Sequence, residues 1–349
     1  MNAEQNNAGK NVTTGQSKVS TYPKTLVDAV RYFTEPSAAL NFFAGMRWPD
    51  GVVCPRCGSR NVLFMAKYSR WKCREKHAQP QFTVKVGTVM EDSPLPLDKW
   101  AVGIWLEVNA KNSISSYEIH RALGITQKSA WFMQHRIRFA LHQGSFEKPM
   151  SGTVEADETF IGGLARNMHK SKRDRVITGT GGMNKTAVMG LLERHEEKGK
   201  SQVRTQVVED RKGETLRPIV AQNVKAGSNV YTDALPAYAG LSAEFFHDFV
   251  DHAECYAKGA VHTNGLESFW ALFKRCIKGT HVSVEPFHLF RYLDSEAFRF
   301  NTRTLKDGER FAVVAAMLAG KRLTYKVLTG ELEGHPGSDS DGASASPLN

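Results

Sequence analysis

The chain has no run of about 18 uninterrupted apolar residues and no secretory signal pattern, so neither a membrane span nor export is indicated and a cytoplasmic location is expected. Cysteine is scarce, five in 349 residues, and the odd count argues against a disulfide framework. There is no internal repeat, and without a G-x-S-x-G elbow a Ser/His/Asp hydrolase finds no support. A near match to a phosphate-cradling loop, Gly179 to Thr186, carries Asn184 at the required glycine and reads as a flexible glycine-rich loop. Acidic residues are short in one half only. Residues 1–150 hold 20 Lys+Arg against 11 Asp+Glu, whereas residues 151–349 hold 26 against 25, so +9 of the net +10 lies in the first part. That is the expected footprint of a polyanion-binding module, the alternative being a solvated surface biased to one sign.

Composition is otherwise that of an ordinary globular protein with room for two or three domains. Residues 1–20 and 334–349 are polar, rich in Gly, Ser and Asn, and are expected to be disordered. Residues 21–92 hold two short helices broken near Pro36, followed by β-like runs around a cysteine cluster. Residues 93–148 read as helical, with Leu97, Trp100, Ile104, Trp105 and Val108 on one amphipathic stripe. Within them Ser116 is a plausible N-cap, Gly124 a turn, and Thr126 the cap of a second, basic helix; this is a helix-turn-helix candidate or, alternatively, a helical linker. Residues 149–305 alternate strands and helices in a pattern that predicts a mixed sheet, and 306–333 form a C-terminal helical segment.

Cys54-Pro-Arg-Cys57-Gly and Cys73-Arg-Glu-Lys-His77 place three thiols and one imidazole in two clamps, the donor set of a tetrahedral structural Zn²⁺ site. A redox reading of C-x-x-C leaves the second pair unexplained. The Cys-x₃-His clamp is unusual, so a fourth ligand other than His77 stays open. Cys255 and Cys276 stand alone and read as buried reduced thiols.

Three acids stand where strands end or a helix begins: Asp157 in VEADETFIGG, Asp233 in VYTDALPAY and Glu267 in HTNGLESFWALFKR. Converging carboxylates suit hard divalent cations and phosphodiester chemistry. Strand alternation puts Glu155 and Asp157 on one face and turns Glu158 away; Asp157 is preferred because it is nearer the strand end. On the last helix Leu266, Phe269, Trp270, Phe273 and Ile277 form the packed stripe, leaving Asn264, Glu267, Lys274 and Lys278 on the other side. Each acid taken alone has a bland reading as a solvated surface residue.

The elements RWPDGVVCPRCGS, GTVMEDSPLPLDKW, VEADETFIGG, NKTAVMGLLER, VYTDALPAY and HTNGLESFWALFKRCIKGTHV run in this order from about residue 40 to 300. In this the chain resembles the zinc-ribbon DDE transposases of bacterial insertion sequences, the ISXO-like group. The resemblance implies an α/β fold: an RNase H-like mixed sheet flanked by helices, its first and fourth strands adjacent, preceded by a small zinc ribbon and a helix-turn-helix-like region. It implies Asp157, Asp233 and Glu267 as an acidic triad holding two Mg²⁺ or Mn²⁺ ions, with Lys274 beside it. Asn264, one turn before Glu267, is the alternative third position; Glu267 is preferred because a carboxylate binds Mg²⁺ more strongly than an amide. The implied partners are the double-stranded ends of a mobile element and target DNA, bound by a homodimer or higher multimer. In the helix-turn-helix reading Gln127, Lys128 and Ser129 approach base edges and Arg136 and Arg138 the backbone, while Lys172, Arg173 and Lys278 are further backbone candidates. A non-catalytic DNA-binding regulator and a hydrolytic nuclease are the rival readings; the first predicts a missing triad member, and none is missing.

Overall fold

The computed structural model describes residues 22–142, 148–163, 169–176, 185–250 and 259–331. The expected tails, the glycine-rich stretch 177–184 and Cys255 lie outside these residues. Two helices, α1 (Leu26–Phe33) and α2 (Pro36–Arg47), open the chain, and Pro36 starts the second, where its missing N–H costs nothing. A three-stranded antiparallel ribbon follows, β1 (Val62–Met65), β2 (Arg70–Cys73) and β3 (Gln81–Phe82). Next come α3 (Leu97–Asn109), α4 (Ser116–Leu123) and α5 (Gln127–Leu141). Ser115 rather than Ser116 caps α4, in a capping box with Glu118; Gly124 ends it at φ +59°, and Thr126 caps α5.

The sheet is built from β4 (Thr153–Ile161), then, after α6 (Lys170–Val176), β5 (Thr186–Glu193) and β6 (Gln202–Val208), and, after α7 (Gly213–Asn223), β7 (Asn229–Asp233) and β8 (Phe246–Val250). Its order is β6-β5-β4-β7-β8, antiparallel from β6 to β4 and parallel from β4 to β8. The first and fourth strands of this region are thus neighbours, in keeping with the RNase H-like mixed sheet. The chain then runs through α8 (Asn264–Cys276), a π-helical turn at Ile277–His281, α9 (Leu289–Asn301), α10 (Asp307–Met317) and α11 (Tyr325–Leu328).

Strand alternation decides which helix covers which face. Val154 and Ala156 of β4 bury with Leu216, Ile219 and Val220 of α7, whereas Ile161 packs with Leu266, Phe269, Trp270 and Phe273 of α8 and Leu289 and Leu293 of α9. A third core lies outside the sheet. It joins Phe33, Phe42, Trp105 and Ile137 from α1, α2, α3 and α5 to Phe298 of α9 and Phe311 and Val314 of α10, with Phe42 and Phe311 stacked at 5.3 Å. The C-terminal segment therefore completes the core of the first helical region.

That core also corrects two expected DNA contacts. Arg138 is 1% exposed and its Nε donates to Glu107 at 2.8 Å; Arg136 is 6% exposed and its guanidinium donates to the carbonyls of Leu323 and Glu91. Both are consumed internally because the second half of α5 passes between α3 and α9. Glu107 itself is fully buried and also accepts from Gln134 at 2.8 Å. Removing one partner leaves an uncompensated buried charge, so Glu107→Ala is expected to lower unfolding free energy by roughly 3–5 kcal/mol in a denaturant titration. The double variant Glu107→Leu/Arg138→Met should recover much of that loss.

Candidate active site and metal cluster

The ribbon brings the predicted metal ligands together. Cys54 Sγ lies 3.6 Å from His77 Nε2 and Cys57 Sγ 3.6 Å from Cys73 Sγ, and all four donor atoms fall within 4.8 Å of one another. The first clamp is a tight knuckle: Gly58 N–H donates to the Cys54 carbonyl and Cys54 N–H to the Ser59 carbonyl, both at 2.9 Å, with Gly58 at φ +72°. Burial works against ionising Cys54, yet N–H groups of Arg56 and Cys57 hold its thiol below the ordinary value. Cys73, by contrast, is pushed up to about 11 by burial. The donor set and spacing fit a tetrahedral zinc ion, and His77 is where the fourth ligand is expected.

On the sheet, the parallel β4–β7 ladder sets Glu155 opposite Tyr231, so two residues further on Asp157 and Asp233 come level on the face that α8 covers. Burial first, then the Asp233 charge, lift the Asp157 carboxyl to about 6, and Glu267 in the first turn of α8 adds to the rise. Trp270 Nε1–H donates to Asp157 Oδ2 at 3.1 Å. This contact requires the residue opposite Asp157 in the β4–β5 ladder to be Gly190, because a Cβ there would sit 2.6 Å from the Trp270 ring and 2.9 Å from Leu266. Among the described residues the Cys/His set is the one group of three or more such ligands within 4.8 Å; the carboxylates stand further apart.

Glu158 turns to the opposite face, as alternation predicts, where it accepts from the Tyr238 hydroxyl. Sequence reasoning did not foresee that burial, with Asp233 and Asp157 nearby, would raise its carboxyl to about 8. The half-buried Lys274 ammonium is lowered by burial, pulled back up by Asp157, and lowered further by Lys278 and Lys185. Lys274 is thus within electrostatic reach of Asp157 and of Lys185, which immediately precedes β5 and which nothing in the local sequence singled out. Asn264 is exposed at the first position of α8, its carbonyl accepting from Ser268 Oγ. The 350 Å³ cavity lined by Gly213, Arg217, Gly240 and Phe245 lies against α7 and shares no residue with the carboxylates.

Of the expected DNA contacts at the start of α5, Lys128 is exposed with its ammonium 4.7 Å from the Tyr325 ring, Gln127 donates to Ser116 Oγ, and Ser129 N–H is held by Thr126 Oγ1. Arg173 pairs with Asp174 and Lys278 is exposed; the side chain of Lys172 lies outside the described residues. The ribbon carries cations that the helix-turn-helix reading passed over. Residues 56–76 hold seven Lys and Arg against the single acid Glu75, and Leu63, Phe64 and Tyr68 are exposed among them, with Arg70 and Lys67 over the Tyr68 ring.

Asp157 stands in the middle of β4 and not at the strand end that its sequence position suggested, because β4 runs on to Ile161, whereas Asp233 does end β7. A mixed sheet of this order, with helices on its faces and a zinc ribbon before it, defines the RNase H-like class of α/β domain. Residues 149–301 match the ISXO2-like transposase domain and residues 36–79 the transposase zinc-ribbon domain. The chain is 26% identical over 282 residues to an uncharacterized protein in transposable element ISH50 of Halobacterium salinarum, covering 76% of this chain and 90% of that one. It is 36% identical over 109 residues to an uncharacterized transposase-like protein of Haemophilus influenzae, 31% of this chain and 87% of that protein. The protein belongs to the ISXO2-like transposase family.

A raised folded-state carboxyl means that ionising Asp157 costs stability once the pH exceeds about 6, and that this cost disappears below the ordinary value of 3.8. In metal-free buffer Asp157→Asn is therefore expected to melt above the wild type at pH 8, with the gap closing as the pH falls from about 6 toward 3.8. Thermal melts from pH 8 down to about 4 check it, and a variant that melts lower at pH 8 contradicts the burial and like charge that raise this carboxyl.

Proposed function

We propose that the protein binds the ends of an insertion sequence and carries out metal-dependent DNA strand cleavage and strand transfer. What supports the reading is Asp157 on β4 level with Asp233 on its parallel neighbour β7, with Glu267 in the first turn of α8 near enough for its charge to act on Asp157, in a transposase-family chain. Burial first and then the charges of Asp233 and Glu267 lift the Asp157 carboxyl to about 6, and a bound cation relieves the like-charge part of that cost, so these acids suit Mg²⁺ or Mn²⁺. Two such ions, when bound, supply Lewis acidity and a nucleophilic oxygen at neutral pH.

The chain's own residues do the rest. Asp157, Asp233 and Glu267 bind and orient the cations, and Asn264 supports the third position. Lys274, with Lys185 and Lys278, draws the DNA phosphate against them. In the first step water adds to the phosphorus and the P–O3′ bond breaks, leaving a 3′-hydroxyl on the element; in the second, that hydroxyl attacks a target phosphate and displaces a target 3′-oxygen. Neither step needs a covalent link to the protein. The Cys54, Cys57, Cys73, His77 site holds a structural zinc, and the exposed cations of the ribbon and of the start of α5 hold duplex DNA. Pairing of two ends calls for a dimer or higher multimer.

Incubation with labelled element-end DNA, Mg²⁺ and a target plasmid is the test. Alanine at 157, 233 or 267 is expected to lower joined product by about 10³-fold or more, since several kcal/mol of charge stabilisation is lost, while end binding is retained. Asn264→Ala should cost less than Glu267→Ala; the reverse order makes Asn264 the third position. Cleavage without joining points to a hydrolytic nuclease, and binding without metal-dependent cleavage to a regulator. For the ribbon, elemental analysis is expected to find zinc in the wild type and to find it lost in Cys57→Ser, which should also lose most end binding.

A further inference from the structure

A helix whose first turn lacks a side-chain cap must find acceptors for its leading N–H groups elsewhere. Thr263, the N-cap residue of α8, does not cap the helix with its own side chain. The acceptor comes from the sheet instead: Glu155 Oε2, on a carboxylate 1% exposed, takes the Leu266 N–H at 2.9 Å. Gly265 makes the approach possible, because a Cβ there would lie 2.9 Å from both Glu155 oxygens. The other oxygen is held by Arg194 Nε at 2.7 Å, and the same guanidinium donates to the carbonyls of Ala260 and His262 at 2.7 and 2.6 Å. Arg194 is itself tied to β4, its N–H bonding the Thr153 carbonyl at 2.8 Å.

The positions of these contacts matter more than their number. Glu155 precedes Asp157 by two residues on β4, and the N–H it accepts belongs to the residue immediately before Glu267 on α8. One rigid bond therefore links the two elements that carry these acids, and Arg194 fixes the approach of the chain into α8. A merely solvated acid would do none of this, and burying a charge so completely is costly unless it is paired and hydrogen-bonded, as here.

We propose that Glu155, clamped by Arg194, is a positioning residue that sets the spacing of Asp157 and Glu267 for cation binding. The proposal rests on the reading of those two acids as the cation ligands. It assigns Glu155 no contact with DNA or cation; its role is to hold the helix so that Glu267 meets the cation that Asp157 holds.

Calorimetric titration of Mn²⁺ into the full-length, DNA-free protein tests this. Glu155→Ala is expected to weaken cation binding by about ten- to a hundred-fold, the range for residues that orient metal ligands, with element-end binding unchanged. Glu155→Gln keeps an oxygen acceptor for Leu266 and should lose less. In the strand-transfer assay, raising Mn²⁺ should restore Glu155→Ala but not Asp157→Ala, which separates positioning from direct ligation. If Glu155→Ala fails to fold, Gly265→Ala, which pushes the helix away from an intact Glu155, is expected to weaken Mn²⁺ binding in the same way. Wild-type affinity in whichever of the two folds overturns the proposal. Should the wild type show no cation binding that Asp157→Ala abolishes, the underlying reading of the acids fails first.

Discussion

Space beneath one helix governs the candidate site. The strand next to β4 has to leave room for α8 to settle against the sheet, and it does so at Gly190, where any side chain would collide with Trp270 and Leu266. With the helix seated there, the indole reaches Asp157 and the first turn of α8 brings Glu267 within electrostatic range of it. The sheet's alternation then sorts the remaining carboxylates of β4: Glu155 goes under the helix to serve its backbone, and Glu158 goes to the far face to meet Tyr238.

The charge arrangement is costly by itself. Asp157 and Glu158 are adjacent in sequence, both largely removed from water and both facing the field of Asp233, so each resists ionisation. Glu267 occupies the first turn of a helix, where the amide dipoles favour an acid. Lys274 feels Asp157 on one side and Lys278 and Lys185 on the other, so regions of opposite sign adjoin there.

Much of this was legible in the sequence because the signals are local. Period-two alternation in β4, the apolar stripe of α8 and the spacing of Cys54, Cys57, Cys73 and His77 each lie within a few turns of chain, and each element formed where its pattern indicated. What was not legible depends on partners far away. Arg136 and Arg138 look like an exposed basic edge of α5, but their acceptors Leu323 and Glu107 are 187 and 31 residues distant, and only the packing of α3 and α9 reveals that the edge is interior. Glu155 could be placed on the right face but not given a task, since its partners Arg194 and Leu266 come from two other elements. Gly190 sits in an unremarkable apolar run, and its meaning appears only when β5 is laid opposite Asp157.

The helical core has a consequence for the timing of synthesis. Phe33 and Phe42 near the beginning find their partner in Phe311, and α3 finds part of its cover in α10. A ribosome releases those halves in order, so the front of the protein waits with an open apolar face until the last long helix has emerged. A nascent or prematurely terminated chain lacking that helix carries the ribbon and every strand of the sheet, yet its front layer is unfinished. A truncated product is left for the proteases that clear chains with exposed apolar surface.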